Sequence, residues 1–118
     1  MAQQVRQQNR KFTRWGVSLP CLFRHEGAVH KARMHDLSEG GAFLESSICP
    51  AKGAHITLAL KSADAQRQFN LRAEVRHQGS IKTPKGRLLG FGVQFRSLNP
   101  QAVSDVEQLI IRHGQVSD

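Results

Sequence analysis

The sequence predicts a mainly-β fold: a small six-stranded antiparallel β-barrel with one C-terminal α-helix. Short segments in which apolar and polar residues alternate recur along the chain, as is typical of half-buried strands. Turns rich in Gly, Pro, Asp and Ser separate these segments, and the apolar period becomes helical only near the C-terminus. The 118 residues are about the length of one ordinary domain, so we expect a single core.

The first two strands are predicted to form a hairpin. Residues 17–25 mix apolar and polar positions, and Pro20 has no backbone N–H, so it predicts an edge position or a bulge there. Glu26 and Gly27 then provide a turn into residues 28–35, which alternate as a strand does.

The middle of the chain is predicted to contain a tight turn and two short strands. Residues 36–41 include Asp and Ser, which bond nearby backbone amides, and two glycines, which reach backbone angles that other residues resist. Short strands follow at residues 42–45 and, after a break at residues 50–53, at residues 56–60.

The clearest strand pattern lies in residues 69–78. Alternate residues of this stretch are predicted to face the core, and the residues between them are predicted to face solvent. The predicted core face holds Phe69, Leu71, Ala73, Val75 and His77. Residues 79–86 carry Ser, Pro, Lys and two glycines and predict a turn or short loop. Residues 87–95 then form the last predicted strand, whose glycines suggest a bend or a close backbone approach.

The C-terminal helix has sequence signals at both ends. Asn99 can cap free amides, and a proline suits the first helical position that follows it. Gly114 is expected to end the helix. The predicted buried face contains Val103, Val106 and Ile110.

Composition restricts the partners and the compartment. Seventeen Lys and Arg against nine Asp and Glu give a formal charge of +8, which favours phosphates, nucleic acid or an acidic membrane surface. Cys21 and Cys49 form no Cys-x-x-Cys pair and are expected to be reduced thiols.

Residues 1–9 are polar and predict a mobile arm. Neither a secretory signal nor a stretch of about 18 apolar residues is present, so we expect a cytoplasmic protein without stable membrane insertion.

Two short motifs carry the chemistry of ligand binding. Arg10 and Arg14 place two guanidinium forks, which match phosphate oxygens and the O6/N7 edge of guanine, on one segment. Asp36, Ser38 and Gly41 supply a carboxylate, a hydroxyl and a position without bulk. Taken separately, the first motif is typical of a solvated charged tail and the second of an ordinary turn.

Together the two motifs resemble those of PilZ domains, bacterial receptors for cyclic di-GMP (c-di-GMP). That family combines Arg-x-x-x-Arg, Asp/Asn-x-Ser-x-x-Gly and a Gly-rich closing strand before a helix, and residues 90–95 match the closing strand. The resemblance extends over roughly residues 9–113. We therefore divide the chain into a flexible arm (residues 1–9), a PilZ-like domain (residues 10–113) and a C-terminal tail (residues 114–118).

The resemblance implies a role for each motif. The two arginines would contact the phosphates and guanine faces of c-di-GMP, while Asp36, Ser38 and Gly41 line the opposite wall and the arm closes over the ligand. The signal would then pass to a downstream protein partner. Additional ligand contacts are expected from neighbouring positions: Arg6, Asn9, Lys11 and Gly40.

Some assignments remain open in the sequence. In the family the residue before the first arginine influences whether one ligand or a stacked pair binds, and here that residue is Asn9. Trp15 and Phe12 are aromatic residues beside the arginines, and each either stacks on a base or packs against the barrel.

Other functions are less well supported. No cofactor other than the ligand is expected. A metal site is disfavoured because the His and Cys spacings match no zinc template, and an enzyme because no catalytic motif is found. The main alternative is a small basic barrel that binds RNA or single-stranded DNA, but six Phe and one Trp are few for a stacking platform. A protein-interaction module that has lost the ligand is disfavoured by the intact motifs.

Overall fold

The structure, a computed structural model, describes residues 13–116. It is mainly β with one helix near the C-terminus, which confirms the predicted fold class. The elements in chain order are β1 (Trp15–His25), β2 (Ala28–Leu37), β3 (Gly41–Glu45), β4 (His55–Lys61), β5 (Gln68–Thr83), β6 (Gly86–Arg96), α1 (Pro100–His113) and β7 (Gln115–Val116).

Six antiparallel strands close into a ring. The order is β2-β3-β6-β5-β4-β1, and β1 pairs again with β2 to complete the circle. The two-residue β7, which the sequence did not predict, pairs with the start of β1 at Trp15 and Gly16. The closed ring places one face of every strand against a shared interior.

The core fills this interior. Phe23, Leu58, Val75 and Phe91 are completely buried, and the rings of Phe23 and Phe91 meet edge to face with centroids 5.3 Å apart. An edge-to-face arrangement is favourable for aromatic pairs. The interior thus depends on side chains contributed by strands that are distant in sequence.

Helix α1 begins and ends where the sequence predicted. The Asn99 side chain accepts a hydrogen bond from the Ala102 N–H at 2.8 Å, and the Gly114 N–H donates to the Ile110 carbonyl at 2.7 Å. The buried face is rotated from the prediction, because Val103 and Ile110 are only half buried. The helix instead buries Ala102, Asp105, Val106 and Leu109. It is the one helix in residues 13–116, and it is neither long nor apolar enough to cross a membrane.

The prediction of a loop at residues 79–86 is wrong. Strand β5 continues to Thr83 and β6 starts at Gly86, so only Pro84 and Lys85 form the turn between them. The φ of Gly86 is 115°, which favours glycine. The Gly and Ser residues that suggested a loop are instead paired across the two strands, a context that local composition does not reveal.

His77 does not lie on the core side of β5 as its parity predicted. Val75 pairs with Val93 and His77 pairs with Gly92, which leaves Arg76 as an extra residue. This β-bulge shifts the alternation by one position. His77 is therefore exposed.

Pro20 has no backbone N–H and lies where β1 is paired with a strand on one side only. Strand β1 pairs with β4 only from Leu22 to Arg24, so Pro20 lies before that stretch while still opposite Arg33 of β2. The register of β1 and β2 also shifts between Gly16 and Leu19. The position agrees with the expectation of an edge or a bulge.

Candidate functional site

A cavity of about 580 Å³ opens beside the turn that joins β2 to β3. Its volume lies within the range of roughly 300–1,000 Å³ that is typical of small-molecule sites. The lining comes from the start of the described chain, the turn and three strands: Arg14, residues 38–43, Arg76, His77 and residues 92–95.

The turn is held by the hydroxyl of Ser38. Its Oγ accepts hydrogen bonds from the N–H groups of Gly40 and Gly41, both at 3.1 Å, and the Ser38 N–H donates to the Gly41 carbonyl at 2.9 Å. The Gly40 carbonyl accepts from the N–H of Phe95 at 2.9 Å, which fastens the turn to β6. The motif serine therefore shapes the wall of the cavity, because its hydroxyl is committed to backbone groups.

Gly41 is required by the close approach of β3 to β6. A Cβ at this position would lie 2.1 Å from the Val93 carbonyl oxygen, far closer than real contacts allow. The glycine of the motif is thus required for a steric reason that is independent of any ligand. It also keeps this part of the cavity free of side-chain bulk.

Arg14 reaches the same region from the segment before β1. Its Nη1 lies 3.6 Å from Oδ2 of Asp36, and the two side chains are 42% and 20% exposed. Ion pairs in such partly exposed settings contribute little to stability. The guanidinium can therefore exchange the carboxylate for another anion at low cost. Asp36 is not among the residues that line the cavity, but it contacts Arg14, which does.

Two lining residues, Arg76 and His77, were not found by the sequence analysis. The bulge in β5 turns both outwards, and the His77 ring stacks on Phe43 with centroids 6.4 Å apart. The ring covers Gly92, where a Cβ would lie 2.2 Å from it. The glycines of the closing strand were the available signal, because glycine in a strand often marks close approach by another group.

The charges at the site are mixed. Arg76 lies 3.5 Å from the Glu74 carboxylate, and Arg96 shares the same carboxylate at 3.2 Å. Glu39 projects from the turn, where the neighbouring Glu107 carboxyl of α1 raises its pKa, mainly through a side-chain hydrogen bond. Arg14 and Arg76 thus provide two cations on a cavity that also has one exposed carboxyl.

The structure brings together part of the predicted site. Arg14, Ser38, Gly40 and Gly41 line one cavity, and Asp36 contacts Arg14. The other predicted contacts lie outside the described residues: Arg6, Asn9, Arg10, Lys11 and the aromatic Phe12. Their roles, like the assignment of the ligand contacts as a whole, stay predictions.

Trp15 lies away from the cavity lining. It is half buried at the start of β1, opposite Leu37. A Cβ at Gly114 would lie only 3.1 Å from that of Trp15, so the Trp15 side chain leaves the backbone beside the end of α1. This placement favours packing over base stacking.

Residues 13–116 contain no group of three or more His, Cys, Asp or Glu that could hold a metal ion. His35 instead forms a 2.7 Å contact between its Nε2 and Oε1 of Glu45. Cys21 and Cys49 are free thiols, and burial raises the pKa of Cys21 to about 12.

Comparison with known proteins assigns the fold to a family. The model of the PilZ domain family matches residues 8–112, nearly the whole chain. The chain therefore belongs to the PilZ domain family. No curated protein matched the sequence.

Solved structures share the same fold at low sequence identity. The PilZ domain of Escherichia coli YcgR with c-di-GMP is 14% identical with a TM-score of 0.69, over 88% of this chain and 90% of that one. Bacillus subtilis MotI/DgrA, an inhibitor of motility, is 16% identical with a TM-score of 0.68. The MrkH–c-di-GMP complex of K. pneumonia is 17% identical with a TM-score of 0.66. The match covers 87% and 86% of this chain but only 50% and 51% of those two proteins.

Proposed function

We propose that this protein is a c-di-GMP receptor that binds its ligand in the cavity beside the β2–β3 turn. The observation that carries the proposal is the convergence of Arg14 and the Ser38–Gly41 turn on that one cavity, although Arg14 and Ser38 are 24 positions apart in the sequence. Membership of the PilZ family supports it, as does the c-di-GMP named with the PilZ domain of YcgR.

Each side chain at the site has a chemistry that suits a cyclic dinucleotide. The Arg14 fork would leave the Asp36 carboxylate and bind a phosphate or the O6/N7 edge of guanine. The freed carboxylate would accept hydrogen bonds from guanine N–H groups. Arg76 adds a second cation, and the His77 ring offers a flat surface for a base.

Arg10 would complete the grip from the preceding segment. Arg14 lines the cavity only one residue after the first described residue, Thr13, so the segment that carries Arg10 joins the described part at the site. Closure of this arm over the ligand would change the surface offered to a downstream protein partner. Hydrogen exchange of residues 1–12, with and without c-di-GMP, tests this step: we expect slower exchange with ligand, and equal rates would exclude an ordered arm.

Isothermal titration of the full chain is the direct test. We expect saturable heat with c-di-GMP and none with GTP, and the fitted stoichiometry would distinguish one bound ligand from a stacked pair. Chromatography of the ligand afterwards should recover it unchanged, as expected of a receptor rather than an enzyme. Absence of heat with c-di-GMP, together with salt-sensitive binding to a short single-stranded RNA, would replace this proposal with the RNA-binding alternative.

Replacing Arg14 should weaken c-di-GMP binding more than tenfold. A charge-assisted fork contributes about 1.5–3 kcal/mol, and its geometry is lost with it. Arg24→Ala is the matched control, since Arg24 is exposed on β1 and does not line the cavity. We expect both variants to melt near the parent temperature, because the Arg14–Asp36 pair is half exposed. Unchanged affinity in the Arg10→Ala/Arg14→Ala double variant would refute the site.

A further inference from the structure

Strands β5 and β6 extend beyond the ring as a two-stranded ribbon. Their pairing runs from Gly79 opposite Gly90 to Thr83 opposite Gly86. The pairing of β6 with β3 ends at Gly90, and the pairing of β5 with β4 ends at Glu74. In the described part of the chain, the stretch from Ser80 and Leu89 to the turn therefore has no third strand beside it. The longest dimension of the molecule is 47 Å, against 30 and 29 Å for the others, consistent with a projecting ribbon.

The ribbon is strongly basic. Lys82 and Arg87 are paired across it and so share one face, and Lys85 lies in the turn. Arg87 donates from Nη1 to Oγ of Ser80 at 2.8 Å, which places its guanidinium along that same face. The sequence contains no Asp or Glu between Glu74 and Asp105, so no nearby acidic residue of this segment offsets the three cations.

Exposed apolar side chains accompany these cations. Leu89 is 68% exposed and lies opposite Ser80, hence on the face that carries Lys82 and Arg87. Ile48 is 45% exposed and follows Ser46, whose N–H donates to the Leu89 carbonyl at 3.3 Å. Leu89 is thus exposed at the base of the ribbon, and Ile48 is exposed two residues beyond the segment that contacts this base.

This combination matches one class of surface better than others. Lys and Arg attract anionic phospholipid headgroups, and neighbouring apolar side chains enter the boundary between headgroups and acyl chains. The phosphates of a nucleic acid would pair with the cations. They would not remove Leu89, the most exposed apolar side chain on the same face, from water. The charge and the exposed apolar area together therefore favour a membrane surface.

We propose that the β5–β6 ribbon is a peripheral attachment site for anionic lipid membranes. Lys82, Lys85 and Arg87 contact the headgroup phosphates, while Leu89 and Ile48 rest at the acyl boundary. The contact is reversible and sensitive to salt, because three cations and two apolar side chains form a small interface. It does not depend on c-di-GMP binding.

Co-sedimentation of the full chain with vesicles tests the proposal. We expect binding to vesicles of 30% phosphatidylglycerol in phosphatidylcholine, at least fivefold weaker binding to pure phosphatidylcholine, and release in 0.5 M NaCl. Lys82→Ala/Lys85→Ala/Arg87→Ala should weaken the anionic-vesicle partition at least tenfold. Leu89→Ser should weaken it about threefold without changing the charge.

A variant with the same net charge controls for general attraction. Arg24→Ala/Lys61→Ala/Arg72→Ala removes three exposed cations from β1, β4 and β5 outside the ribbon, and it should retain binding within twofold of the parent. Equal loss in the two triple variants would overturn the proposal, because net charge alone would then explain the binding. Ribbon-dependent binding to a 20-base-pair DNA duplex but not to vesicles would overturn it too.

Vesicle binding can be measured independently of c-di-GMP binding. Titration with c-di-GMP should give the parent affinity in the ribbon variants, and Arg14→Ala should retain vesicle binding within twofold. Failure of c-di-GMP binding with intact vesicle binding would therefore reject only the receptor proposal. The circular dichroism melting curves of all variants should match the parent, since the replaced ribbon side chains lie outside the core.

Discussion

The β4–β5 pair and the cavity end of the ring are built in contrasting ways. Strand β4 pairs with β5 from His55 to Lys61 without a shift in register, and its residues alternate between buried and exposed or half-buried positions. At the cavity end, the register shifts in β1 between Gly16 and Leu19, in β2 at His35 and in β5 at Arg76. Regular pairing gives each residue of the pair a fixed side, whereas every bulge changes which side chains face outwards.

This contrast separates stability from binding. The regular pair buries Ile56, Leu58 and Leu60, which face the interior together. The irregular end turns Arg76 and His77 outwards and brings Asp36 within reach of Arg14. A bulge loses part of the strand pairing, so we expect the regular half of the ring to supply the stability that the irregular half lacks.

The largest effect on stability should come from Leu58→Ala. Leu58 is completely buried on the regular pair, opposite Leu71, so the substitution should lower the free energy of unfolding by about 2–5 kcal/mol. Chemical denaturation measures this. Ile56→Val is the milder variant and should cost about 0.5–1.5 kcal/mol. The affinity for c-di-GMP should stay within about twofold of the parent in the folded protein, and a loss as large as that of Arg14→Ala would contradict the division between the two regions.

A smaller loss of stability, with a loss of binding, is expected for Gly41→Ala. The new Cβ would meet the Val93 carbonyl, which belongs to paired backbone and cannot move alone. Overpacking of this kind costs about 1–3 kcal/mol, and the displaced turn should weaken c-di-GMP binding more than tenfold.

Gly92→Ala is the matched comparison, because the three heavy atoms nearest to its Cβ would all belong to the ring of the exposed His77. That ring can rotate away, so thermal melting should change less than in Gly41→Ala. An equal fall in melting temperature for the two variants would show that His77 is held as rigidly as the backbone. An unchanged c-di-GMP affinity in Gly92→Ala would remove His77 from the proposed contacts.

The smallest effect is expected from Glu107→Gln. The Glu107 carboxyl raises the pKa of Glu39, and a raised pKa means that the folded protein binds the proton more tightly than the unfolded chain. This contribution to stability is present below the ordinary glutamate pKa and is lost as the pH rises through the raised value. The substitution should return the pKa of Glu39 towards its ordinary range, as measured by NMR titration of its side-chain carboxyl. No change would mean that the two carboxyls do not interact in solution.

Local patterns predicted the regular parts of the fold and failed at the irregular ones. The alternation from Phe69 to Val75 located the buried face of β5 correctly, because each residue there has its partner in register. The same rule assigned His77 to the wrong side, since the bulge at Arg76 depends on how β6 lies beside β5. The ribbon was read as a loop because Gly79, Pro84 and Gly86 are turn residues, and only pairing with β6 makes that segment a strand.

The candidate site was predicted in the same uneven way. The motif residues Arg14, Ser38 and Gly41 converge on the cavity, whereas Arg76 and His77 carry no motif and were missed. Their part in the cavity comes from strand pairing between segments that are separated in sequence. The spacing of motifs along the sequence contains no information about such pairing.

The amino-acid sequence by itself therefore determined the features that depend on residues close together in the chain. Asn99 and Pro100 start the helix through a local cap, Ser38 bonds the amides of its own turn, and apolar alternation sets the buried faces. Only the tertiary structure decided the closure of the ring, the bulges and the meeting of Arg14 with Asp36. These features depend on contacts between segments that are distant in sequence. The favourable free energy of those contacts is gained only when the whole sheet has formed.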